Sequence, residues 1–201
     1  MKNNEMNKFI KHIDYYFQQS DCTILHPIVA NPHIDVLFYK PNNAYPYWKL
    51  VTMGASDYKM PPLNPSLGNR NEYVMFIDPS EDLNNENIRL QYYNYLMEVA
   101  LFPIHNNCHI TYGHSLEWPI EQNEEMEGAF IELPQIIKDP NILQCKMNLL
   151  KTITCLQVIL LTRKEINQLQ EIGPEQFSNY LYPEDNSPCH FLCELHRTNK
   201  F

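Results

Sequence analysis

Apolar side chains recur at helical spacing through Met6, Phe9, Ile10, Ile13, Tyr16 and Phe17, the period of an amphipathic helix. An opening helix is expected, with its apolar stripe laid on the sheet that follows. Residues 20–32 hold two prolines and read as a connection. Residues 34–39 and 47–53 are rich in β-branched and aromatic side chains, and Pro41, Asn42 and Asn43 between them supply turn chemistry. The two runs are expected to pair as a hairpin with a loop longer than the tightest type. Residues 58–70 carry three prolines and one glycine and read as a surface loop. A third strand is expected over residues 72–77.

Asn85 or Asn87 is placed to cap a second helix. Ile88, Tyr92, Tyr95, Leu96, Val99 and Phe102 recur along one face of it until Pro103, where it should stop. Strands are expected over residues 108–116 and 129–133, with the acidic run 121–127 between them as a solvated hairpin loop. Residues 152–161 are the most strongly β-forming segment of the second half. Thr162 and Glu165 then fit a capping box, each satisfying a free amide of the helix start for the other. That helix should run to about Ile172, and Gly173 and Pro174 should separate it from a short one ending near Tyr182. No repeat or linker divides residues 1–201. One α+β domain is expected, a mixed, mostly antiparallel sheet packed against helices.

Charge narrows the class of partner. Fifteen Lys and Arg against 24 Asp and Glu leave a formal charge of −9. Nucleic acid is not an expected partner, because phosphate neutralisation needs clustered cations. An acidic surface steers basic proteins instead. No apolar run reaches the ~18 residues that would span a membrane, and residues 1–7 are polar where a secretory signal would be apolar. The six cysteines are irregularly spaced in a chain large enough to hold a core without them. A cytoplasmic protein with free thiols is the expectation.

Three constellations carry possible chemistry. Ser56, with Asp57 beside it and His33 or His114 elsewhere, invites a hydrolase reading. However, residues 54–58 lack the second glycine of a nucleophile elbow, and a turn serine is the commoner use. Cys189, Cys193 and His196 would share one face of a helix and could offer zinc three ligands, but the spacing matches no known knuckle. His114 follows Gly113 near a strand, where a hydrogen-bonding role is commoner than a catalytic one. Tyr93 is expected to be exposed on the second helix, with Tyr92 and Tyr95 turned towards the sheet. Only five glycines occur and none forms a phosphate-binding loop, so no cofactor is expected.

Several segments, read in order, form a pattern. His33, Ile34, Asp35 and Val36 precede the run 45–57, which ends in Thr52, Met53, Gly54, Ala55, Ser56 and Asp57. Arg70, Asn71 and Glu72 open the next strand; residues 96–103, 111–114, 129–134 and 161–165 follow. This order resembles the suppressor-of-fused domain family over about residues 30–170, in its short bacterial form with the amino-terminal domain alone. The resemblance implies a non-enzymatic protein-binding module, and specifically an immunity protein that neutralises a cognate toxin domain. It transfers no catalytic residue. Physically, Gly54 would allow a positive φ, Ser56 or Asp57 could bond nearby amides, and Arg70 and Glu72 could clamp the loop. The run 52–57 thus either builds a rigid corner or touches a ligand.

Overall fold

The computed structural model describes residues 1–27, 31–63, 68–118, 126–182 and 190–197. The apolar stripe near the amino terminus forms helix α1 (Asn3–Phe17), which buries Phe9, Ile13 and Phe17. Among the described residues eight strands make one sheet: β1 (Thr23–Leu25), β2 (Asp35–Tyr39), β3 (Trp48–Met53), β4 (Asn71–Ile77), β5 (Ser115–Glu117), β6 (Gly128–Glu132), β7 (Gln144–Lys146) and β8 (Thr152–Leu161). Their order is β1-β2-β3-β4-β8-β6-β5, with β7 also paired to β8. Only β4 and β8 pair in parallel among these strands, with Tyr73 opposite Leu156. The expected α+β architecture is therefore the observed one.

Helices cover both faces of the sheet. On one side α2 (Glu86–Asn106) sets Tyr92, Leu96, Val99 and Ala100 against Val36, Leu50, Met75, Val158 and Ile131. On the other, α1 packs on Leu37, Val51, Val74 and Phe76. Beside it, α3 (Arg163–Ile172) and α4 (Pro174–Leu181) bring Ile166, Leu169, Phe177 and Leu181 onto Phe130, Ile159 and Leu161. Double coverage explains why β2, β3, β4 and β6 are buried at every position instead of alternating. Each such apolar side chain contributes roughly 1.5–3 kcal/mol on burial.

Helix starts follow the chemistry of their caps. Asn85 accepts from the Asn87 amide, and Thr162 and Glu165 form the reciprocal capping box at α3. Four expectations need correction. Pro103 does not end α2, which continues to Asn106. A proline this late removes one backbone bond, its ring is buried, and left-handed Asn107 closes the helix by donating to Pro103. Residues 108–114 are not strand, because Gly113 (φ 83°) turns the chain and the His114 amide bonds back to Thr111. The connection 20–32 contains β1, a strand of three residues too short to show a period. Finally, the loop 58–70 is not wholly on the surface: Met60 is buried, and its amide donates to Asn69.

Lys49 is a cation in the core. It sits on β3, fully buried, with Nζ 5.7 Å from the centre of the Phe17 ring and 3.3 Å from the Tyr45 carbonyl. Burial pushes its pKa down to about 8, against the opposing pull of Asp21. The charged form is thus disfavoured in the folded chain. The resulting penalty is full below pH of about 8 and disappears above the unfolded value of about 10.4. Lys49→Met is expected to raise stability at pH 7 by on the order of 1–3 kcal/mol. It should also abolish the rise in stability between those two pH values. Denaturant titrations across that range check both; a Met variant less stable at pH 7, with the rise intact, would contradict the assignment.

Candidate functional site

The run 52–57 leaves β3 and turns through a short 3-10 helix (Ala55–Asp57). Three of its buried amides converge on one carboxylate from the neighbouring strand. Glu72 Oε1 accepts from the amides of Gly54 (2.8 Å) and Ser56 (3.0 Å). Its Oε2 accepts from Thr52 Oγ1 (2.7 Å) and the Ala55 amide (3.3 Å). Thr52 Oγ1 in turn accepts from the Tyr73 amide at 2.8 Å, tying the corner to β4. From outside, Arg70 Nη1 donates to the carbonyls of Ser56 (2.7 Å) and Asp57 (3.0 Å). Gly54 is required twice over. Its φ is +126°, and a Cβ there would stand 2.6 Å from the His33 carbonyl oxygen.

Glu72 is fully buried. Burial pushes its carboxyl above the usual range, opposed by bonds from Ser56, Thr52 and the Gly54 and Ser56 amides. The acceptor that fixes the corner is therefore Glu72, and not Ser56 or Asp57. Asp57 points outward to the Met1 ammonium and to Lys151 Nζ at 3.2 Å. Burial raises its carboxyl, but those two cations outweigh burial and hold it below the ordinary carboxylate value.

A second cluster lies where β1 ends and β2 begins. His26 Nδ1 is 2.8 Å and His33 Nε2 is 2.9 Å from the same oxygen of Asp35, Oδ1. Both rings are exposed, whereas Asp35 is buried. The β1–β2 ladder pairs Leu25 with Val36, and one further step sets His26 opposite Asp35. Tyr93, on α2, is half-buried and packs against the main core instead of standing free. Burial, and then the negative charge of Asp35, raise its pKa.

The hydrolase constellation is not assembled. Ser56 is buried, and its Oγ has no hydrogen-bond partner of normal geometry, so no histidine activates it. His33 is engaged with Asp35. His114 lies near His109; burial and that neighbour lower its pKa. Among the described residues, the helical face expected to carry Cys193 and His196 is not formed. Residues 190–197 are not helical, and Cys193 bridges Ile77, while its buried thiol donates to the Val158 carbonyl at 3.6 Å. Cys189 falls outside the described residues, as do positions 121–125 of the acidic run. Sequence reasoning missed His26, for which the turn signal of Pro27 was the sole cue, and the buried pair of Glu165 with Arg197.

The profile of the family described as Suppressor of fused protein (SUFU) matches residues 30–191. The chain belongs to this family. Among solved structures, the Sufu–Fu complex crystal structure superposes with TM-score 0.68 at 11% identity, covering 97% of this chain and 91% of that one. A SUFU homologue from Neisseria gonorrhoeae FA 1090 gives TM-score 0.68 at 14% identity, covering 98% and 97%. Drosophila Suppressor of Fused gives 0.67 at 11% identity; 98% of this chain is covered but only 51% of the Drosophila chain. At these identities the structural likeness establishes the fold alone. No curated protein matches the sequence. Among the described residues, no helix of this SUFU-family chain is long and apolar enough to cross a membrane.

Proposed function

We propose that this chain is a non-enzymatic protein-binding module that acts as an immunity protein, binding and neutralising a cognate toxin domain. Family membership carries the reading. A SUFU protein of the same fold has been solved in complex with Fu, a precedent for a protein partner, and a bacterial homologue shares the whole fold. The charge of −9 favours a basic partner. Within the run 52–57 only Asp57 is exposed, so the corner supports the recognition surface without forming most of it. The surface is assigned to the loop beyond the corner, where Leu63 is exposed, together with the acidic run at 121–127. An interface of standard size needs about 800 Å² from each side, a small share of the 10855 Å² the chain exposes.

The test is direct binding. The purified chain is mixed with the carboxy-terminal domain of the secreted protein encoded immediately upstream of its gene. Size-exclusion chromatography is expected to show one stoichiometric complex, weakened by added salt. Separate elution at micromolar concentrations, or an upstream gene with no such domain, would count against the proposal.

A further inference from the structure

We propose that His26, His33 and Asp35 form a binding site for one divalent first-row transition cation, with Zn2+ as the reference ion. The inference is independent of the immunity role. Three atoms that can each offer a lone pair converge here: His26 Nδ1, His33 Nε2 and an Asp35 carboxylate oxygen, all within 4.8 Å of one another. In a coordination shell with bonds of about 2.0–2.1 Å, neighbouring ligand atoms stand roughly 3 Å apart. The two nitrogen–oxygen separations, 2.8 and 2.9 Å, already have that length. An ion at the centre requires only small movements of the imidazoles, and those are the exposed members. Their side chains are 62% and 60% exposed, against 3% for Asp35.

The protein supplies one fixed ligand and two adjustable ones. Asp35 is held by the β2–β3 ladder, opposite Met53. His26 and His33 arrive from the two ends of the segment joining β1 to β2. Without a cation, each ring can place an N–H on the shared oxygen. With one, each ring carries its proton on the other nitrogen and presents a lone pair to the cation. Two imidazoles and a carboxylate suit Zn2+, Co2+ or Ni2+ and disfavour Mg2+ and Ca2+, which prefer all-oxygen shells. The ion would fasten β1, a three-residue edge strand, to the body of the sheet.

The experiment uses the untagged, chelator-treated full chain, Zn2+ in isothermal titration calorimetry, and Co2+ as a spectroscopic substitute. The expected result is one Zn2+ per chain and a Co2+ spectrum without a thiolate charge-transfer band. His26→Ala and His33→Ala should each weaken binding at least about tenfold, since even partners outside the coordination shell are worth that much. His105→Ala, an exposed histidine elsewhere, should leave binding unchanged. Each single variant leaves Asp35 one imidazole partner, and circular dichroism verifies the fold of every variant. The proposal is overturned if wild type binds no Zn2+, if the His26→Ala/His33→Ala double variant binds as wild type does, or if Co2+ reports thiolate ligation.

Discussion

Glu72→Ala is expected to destabilise the fold by at least about 3 kcal/mol, a large part of the 5–15 kcal/mol that holds a domain together. The substitution strands the amides of Gly54, Ala55 and Ser56, together with the Thr52 hydroxyl, in a buried corner. Each orphaned donor costs about 1–3 kcal/mol. Relief of the buried carboxylate's own desolvation, visible as its upward-shifted pKa, offsets part of that sum but not all of it. Glu72→Gln should fall between, because one oxygen survives as an acceptor while the new NH2 group faces donors. Urea titration reads the stabilities, and hydrogen exchange at residues 54–56 should quicken well beyond the global change. An alanine variant within 1 kcal/mol of wild type would show that water satisfies the corner and that Glu72 is dispensable.

Arg197→Met is the second large effect, at about 3–5 kcal/mol. Arg197 Nη2 meets Glu165 Oε2 at 2.6 Å, with the two side chains only 3% and 1% exposed. Arg197 also donates to the carbonyls of Leu160 (2.7 Å) and Glu194 (3.0 Å). It thereby pins the segment 190–197 to β8 and to the first turn of α3. Removing it leaves a charged carboxylate buried beside the capping box that starts α3. The cost is mainly that of a buried carboxylate losing its guanidinium, so Arg197→Met combined with Glu165→Gln should recover part of the loss. Thermal or urea unfolding of the two single variants and the double variant measures the coupling. Additive losses would contradict this account.

These two positions also show where sequence reading stops. The period of α1, the strands β2, β3, β4, β6 and β8, and the cap at Thr162 were legible because each depends on neighbours within a few residues. Gly54, Arg70 and Glu72 were recognisable as parts of one corner. Which of them takes the amides was not, because it depends on β3 pairing with β4 across the long connection 54–70. The partner of Glu165 lies 32 residues away in a segment without periodicity, so no local signal marks it. The same holds for His26. His33 and Asp35 stood out as a motif, but the third member joins them only through the register of a three-residue strand. Pro103 misled for the opposite reason: a strong local rule, that proline ends helices, yielded to burial in the last turn.

The corner, the buried ion pair and the double-sided core describe a scaffold with Glu72, Glu165 and Arg197 turned inward. Such a scaffold suits recognition by the surface around it and leaves Ser56 without a base. The most direct test of the proposed role is growth of cells expressing the toxin domain encoded upstream, with and without co-expression of this chain. The account predicts arrested growth with the toxin domain alone and restored growth when the chain is present at equal or higher level. Arrest that persists despite abundant folded chain would contradict it.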